Sequence, residues 1–271
     1  MAIKYKNSYL EEKLKATEDS PLKIFRTHSA NLIFFLILLF FLPFIGLGQG
    51  GENEKYQWFD NLIGQTNSGV FKGVHYTNEY RTINEKHQFF KSSDFKTGSV
   101  NYKGQDYFEL LLRYDVYIDN LLVLNDALAN RPIMVFDKEG ITKFMINGHS
   151  FEHLSAKTSD EVESVFLEVL LKMESSTLYK KHRKKIFKRT DAQNLYYEFK
   201  DSYSYALRSY SVFYPFKKVK ELTSIFPDYR KELRAIQKKH NALKKSDNDA
   251  YVLAVLTDLL SLKPTPKQDA L

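Results

Sequence analysis

The sequence predicts an α+β fold: a mostly antiparallel β-sheet meander, with a half-barrel as its curled form, followed by two or three C-terminal α-helices. Three observations predict it. Apolar residues alternate at period two through the middle of the chain, hairpin-type turns separate those runs, and the periodicity becomes helical after Pro215. Aromatic residues reach 15%, with 18 Tyr and 21 Phe against 11 Gly and 7 Pro, a bias that suits a pleated surface. With 43% hydrophobic and 27% charged residues among 271, the chain can bury a sizeable core and lies far from disordered composition. Cysteine is absent, which excludes disulfides, thiolate zinc sites and thiol nucleophiles.

The first element is an address. Residues 32–47 run without a charge, interrupted near the end by Pro43 and Gly46, and Gly48, Gly50 and Gly51 follow. That run is shorter than the roughly 20 apolar residues of a bilayer-spanning helix, and it reads as a signal-peptide core with its cleavage region. Lys23 and Arg26 precede it and favour a cytoplasmic N-terminus. Glu11, Glu12, Glu18 and Asp19 fit a signal peptide poorly, so a retained single-span anchor in the inner membrane stays open. Both readings export the rest. The expected division is a leader over 1–49, a β-rich body over 50–215 and a helical section over 216–271 packed on the sheet. Without the leader the net charge is about +5, since six basic and four acidic residues go with it. That mild excess does not argue for nucleic acid.

In the body, Leu110, Leu112, Tyr114, Val116 and Ile118 share one strand face, and Asp119-Asn120 is a plausible turn into residues 121–124. Pro132 to Phe136 reads as the next strand, and Asp137 to Gly140 turns it back into 141–146. Asn147-Gly148 is the strongest short hairpin signal, because both residues tolerate the positive φ of a type I′ turn. Residues 162–174 fit a helix stripe or a strand, and the strand is preferred because an extended run follows Thr177. Strands continue through 195–199 and 203–207. After Pro215, Val219, Leu222 and Phe226 suggest a short helix stopped by Pro227. Asp228 is placed as the cap of a second helix carrying Tyr229, Leu233 and Ile236. Ser246 and Asp249 match a capping box before Val252, Val255, Leu256, Leu259 and Leu260.

Candidate chemistry is sparse. His149-Ser-Phe-Glu-His153 matches H-x-x-E-H, but two imidazoles reach one zinc from i and i+4 only on a helix. On the returning strand of a hairpin they would stand about 13 Å apart. Gly46-x-Gly48-x-x-Gly51 follows no strand and opens no βαβ unit. The most unusual polar feature is the basic run Lys180, Lys181, Arg183, Lys184 and Lys185, a candidate anion-binding set for lipid phosphate or acidic glycan. Its plainer reading is an edge strand whose lysines discourage aggregation. No catalytic residue, metal ligand or cofactor site is assigned.

The signal end Gly46 to Gln49, the strand Leu111 to Tyr117, the segment Leu178 to Ile186 and the stretch Leu222 to Leu233 together resemble uncharacterised exported envelope proteins of Bacteroidota. The resemblance implies a periplasmic or outer-membrane-associated location and a sheet-plus-helices layout, and it carries over no activity. The expectation is therefore a non-enzymatic binding or scaffolding protein of the cell envelope, partnered by an envelope protein, lipid or anionic glycan. One alternative is a half-barrel carrier of a lipid or other hydrophobic ligand. A remoter one is a metal-dependent envelope hydrolase using His149, Glu152 and His153.

Overall fold

The computed structural model describes residues 69–71, 73–158, 161–191, 194–262 and 266. The apolar run 32–47, with its signal-peptide and anchor readings, lies outside them. Among the described residues, no helix is long and apolar enough to cross a membrane.

The fold is α+β, an open antiparallel sheet followed by helices, as the alternation predicts. Eleven strands are β1 (Val74–His75), β2 (Lys96–Tyr102), β3 (Gln105–Asp115), β4 (Asn120–Leu124), β5 (Ile133–Val135), β6 (Ile141–Ile146), β7 (His149–Thr158), β8 (Glu161–Lys172), β9 (Ser176–Thr190), β10 (Leu195–Ser209) and β11 (Val212–Phe216). Their spatial order is β1-β5-β4-β3-β2-β6-β7-β8-β9-β10-β11. Two meanders therefore run in opposite directions from β2, and the chain crosses from β5 to the far side of β2 before starting the second. Residues 162–172 are strand.

Local chemistry sets the joints. Asn147 and Gly148 adopt φ of 51° and 77°, so the β6–β7 turn has the left-handed backbone that Asn-Gly supplies at little cost. Strand β3 ends earlier than its apolar alternation suggests. Asp115 closes β3, and residues 116–119 form the turn, because Asp115 Oδ1 accepts from the amides of Tyr117 (3.0 Å) and Ile118 (3.3 Å). Such side-chain-to-backbone bonds compete directly with strand pairing. Gly98 in β2 is required by close approach, since a Cβ there would stand 2.3 Å from the Met145 carbonyl oxygen in β6. Opposite it, Phe108 and Glu109 of β3 bulge against Ser99, with Glu109 at φ 55°.

The sheet curls until strands far apart in the order touch through their side chains. Tyr114 of β3 meets Phe166 of β8 at 5.9 Å between ring centroids, although three strands lie between them. Phe144 stacks on Phe151 at 4.6 Å, and Phe90 meets Phe151 edge-on at 5.1 Å. Edge-to-face and offset packing of this kind adds about 0.5–1.5 kcal/mol per pair beyond area burial. The open side is spanned by the segment from Arg81 to Phe90. Phe90 and Gln88 hydrogen-bond to the end of β3, through Phe90 N to Tyr114 O (2.9 Å) and Val116 N to Gln88 O (3.2 Å). Arg81 and Lys86 accept from Tyr197 and Phe199 of β10 at 2.9 and 2.8 Å.

At β8 and β9 the sheet forks. These strands pair only from Lys172↔Thr177 to Glu168↔Lys180, whereas β7–β8 continues to Thr158↔Glu161 and β9–β10 to Thr190↔Leu195. One apolar cluster lies on the first side of the fork, around Tyr114 and Phe151, and a second around Leu207 and Leu256. The second is covered by α1 (Leu222–Ile225), α2 (Arg230–Lys239), α3 (Leu243–Ser246) and α4 (Asn248–Ser261). Leu222, Phe226, Leu233, Val255, Leu256 and Leu259 are fully buried there, each stabilising by about 1.5–3 kcal/mol as an upper bound.

Two expected caps differ from the sequence reading. Asp228 lies in a 3₁₀ turn (Pro227–Tyr229) and α2 starts at Arg230 without a side-chain cap. The cap of α4 is Asp247, whose carboxylate accepts from Ala250 N at 3.0 Å, in place of Ser246. Asp249 is drawn away from a capping box because it points at the sheet.

Candidate functional site

The pleat of β9 divides the basic run. Successive side chains of a strand alternate faces, so Lys180 and Lys184 lie on one face, with His182, and Lys181, Arg183 and Lys185 on the other. The first pair is neutralised. Lys180 donates to Asp249 Oδ2 at 2.5 Å and stands 4.5 Å from the Tyr203 ring centroid. Lys184 pairs with Asp201 at 2.9 Å, its side chain only 6% exposed. These two hold structure together. On the other face Arg183 and Lys185 are exposed, Arg189 continues the row, and Phe187 between them is 41% exposed. Arg183 donates to Ser204 Oγ at 2.8 Å and Arg189 to Glu198 at 3.3 Å, which orient the guanidinium groups without covering them. Residues 181–200 hold seven basic and two acidic side chains. The part of the candidate anion-binding run on this outer face is Lys181, Arg183 and Lys185, with Arg189 further along, on a hairpin arm of two 15-residue strands.

Behind that arm, at the fork, lies a polar seam between the two apolar clusters. Glu168 is buried on the inner face of β8, beside Phe166. His149 Nδ1 meets its Oε1, and His182 Nε2 meets its Oε2 at 2.6 Å. Lys91 Nζ donates to His149 Nε2 at 2.7 Å, so that nitrogen accepts and Nδ1–H donates to the carboxylate. Burial would raise the Glu168 carboxyl, but the bonds from His182 and His149 prevail and hold it below the ordinary carboxylate range. The seam continues through Lys180 to Asp249 and Tyr205, whose hydroxyl donates to Asp249 Oδ1 at 2.6 Å and accepts from Asn248 at 2.8 Å. Burial opposes ionisation of Asp249 too, and again Lys180 and Tyr205 outweigh it. Burial and Asp249 push the Tyr205 phenol far up. This network fastens α4, β7 and β8 to β9.

The H-x-x-E-H residues lie on β7, where the strand separates them. Glu152 points to the face opposite the two histidines and accepts from Tyr179 (2.6 Å) and Lys172 (3.2 Å). Burial together with Glu152 pushes the Tyr179 phenol up to about 12. His149 serves Glu168, while His153 meets Ser164 Oγ at 2.6 Å. Among the described residues, no group of three His, Asp or Glu side chains could hold a metal ion.

Glu168 escaped the sequence reading as a functional group, although its signal was visible as an acid on the strand face of Phe166 and Leu170. Its partners come from β7 and β9, at separations that periodicity cannot see. No family model, curated protein or solved structure matches the chain.

Proposed function

We propose that the chain is an exported cell-envelope protein that binds or scaffolds another envelope component, without catalysis, through the outer face of the β9–β10 arm. The observation that carries this reading is the exposed row Arg183, Lys185 and Arg189 around Phe187, mounted on a long two-stranded arm whose inner face is anchored by Lys180 and Lys184. Cations with an apolar residue among them favour an anionic partner that also offers some apolar surface. Export rests on the apolar leader with its preceding basic residues. The partner is an envelope protein, lipid or anionic glycan.

The lipid-carrier alternative draws no support from the concave face, where Tyr114, Phe144, Phe151 and Phe166 are at most 2% exposed and fill the space between the strands. A hydrolase draws none from His149, Glu152 and His153, which diverge. Affinity capture from detergent-solubilised envelope, using the full chain and an Arg183→Glu/Lys185→Glu/Arg189→Glu variant, tests the proposal. A component retained by the wild type and lost by the variant is expected. Identical profiles for the two, or nothing above background for either, would remove it.

A further inference from the structure

The fork leaves one strand edge open, and its backbone parity can be worked out. Tyr197 and Phe199 send their amides away from β9, to Arg81 and Lys86, so the even residues of β10 exchange bonds with β9. In the β9–β10 register those even residues face Lys181, Arg183, Lys185, Phe187 and Arg189. The backbone groups of His182, Lys184, Ile186 and Lys188 consequently point away from β10. Beyond Lys180 there is no β8 to receive them. Among the described residues, none of these four has another backbone partner.

The facing edge of β8 is treated differently. There Ser164 O accepts from Lys138 Nζ at 2.7 Å, Phe166 N donates to Asp119 Oδ2 at 3.4 Å, and Lys138 and Asp119 pair at 2.5 Å. One edge of the fork is sealed by side chains, and the other is flanked by cations.

We infer that the edge of β9 from His182 to Lys188 receives an extended acidic segment of a partner protein as an added strand. This rests on the contact reading of the same arm and names its partner's chemistry. Lysines on an open edge repel a second copy of the same strand, and the same charges attract an acidic one. The two faces of the edge fix the pattern. An added strand would present alternate residues beside Arg183 and Lys185, where acids fit, and the intervening ones beside Ile186, between Lys188 and the Lys184 already paired with Asp201, where a small β-branched residue fits against Ile186. The recognised segment is therefore an alternation of acidic and β-branched residues.

Fluorescence anisotropy with the full chain and a labelled ten-residue peptide of alternating Glu and Val tests this. The control peptide has the same charge, with every second Val replaced by Pro. Ile186→Pro removes one outward N–H and leaves the β9–β10 bonds in place, since proline is tolerated where the amide points out of the sheet. Tight binding of the alternating peptide is expected, at least tenfold weaker for the control peptide, for Ile186→Pro and for Lys185→Glu/Lys188→Glu.

Equal binding of both peptides, or unchanged binding by Ile186→Pro, would overturn strand addition while leaving a charge-driven contact site intact. No binding of either peptide also overturns it, and the envelope capture above decides the contact reading separately. Hydrogen exchange at the amides of Lys184, Ile186 and Lys188 covers the case of a misfolded variant. These amides should exchange fast in the free chain and slow on adding the alternating peptide; slow exchange without peptide would mean an occupied edge and would end the proposal.

Discussion

Glu168→Leu is the sharpest probe of how the two halves are joined. The substitution removes the acceptor shared by His149 and His182 and leaves two imidazole N–H groups facing an apolar side chain. An orphaned buried donor costs about 1–3 kcal/mol. The two imidazoles retain 27% and 17% side-chain exposure, so water relieves part of this and about 1.5 kcal/mol each is appropriate. Leucine packing beside Phe166 returns about 1 kcal/mol, which leaves a net loss of about 2 kcal/mol. For a folded unit of this size that is a fall in Tm of about 4–8 °C. The sign should reverse when both histidines are first replaced by alanine, because an unpaired buried carboxylate is worse than a leucine.

The pH dependence has a definite direction. Glu168 is held below its unfolded value, so its stabilisation is complete above that value and drains as pH falls through the lower folded one. The gap between wild type and Glu168→Leu should therefore be full above the ordinary carboxyl value of about 4.3 and narrow as pH falls below it. Thermal unfolding followed by far-UV circular dichroism on both sides of that value measures both effects. Equal cost in the two backgrounds, or a gap unchanged in acid, would refute the reasoning.

Asp115 should behave oppositely: burial raises its carboxyl above the ordinary range despite bonds from Tyr76 and the turn amides, so its ionised form weighs against folding. Asp115→Asn should thus gain stability relative to wild type as pH rises above about 4, the unfolded carboxyl's value, and through the higher folded one, which the same titration of Tm reads. Glu109→Gly should stabilise by about 1 kcal/mol in urea unfolding, because glycine adopts the bulge's φ of 55° without strain. Gly98→Ala should destabilise by several kcal/mol, since its Cβ would collide with the Met145 carbonyl and β2 joins both meanders. Arg113→Ala should cost about 1–2 kcal/mol and speed hydrogen exchange over residues 89–95, because its guanidinium lies 4.0 and 4.2 Å from the Phe89 and Phe95 ring centroids.

Much of the architecture was legible because its cues are local. Asn147-Gly148 marks its own turn, the alternation at 110–114 marks an inward face, and Leu222 to Phe226 marks a helix that Pro227 ends. The strand at 162–172 is marked by the extended run that follows Thr177. Non-local arrangements were not. Nothing near Lys96 says that β2 will sit between β3 and β6, and nothing near Lys180 announces Asp249, 69 residues on. The basic run reads as one patch until strand parity splits it, two of its lysines inward onto carboxylates and the others outward. Asp249 resembled a capping residue, but a charge that can meet both Lys180 and Tyr205 gains more there than at a helix end already capped by Asp247.

On the function proposed above, the outer face of the β9–β10 arm touches a partner in the cell envelope. Site-specific photo-crosslinking in cells tests it most directly, with the crosslinking residue placed at Phe187 and, as a control, at Tyr210, which is 80% exposed at the far end of β10. A discrete adduct from position 187, absent from position 210 and lost with Arg183→Glu/Lys185→Glu, is the result expected. No adduct at 187, or the same adducts from both positions, would contradict it.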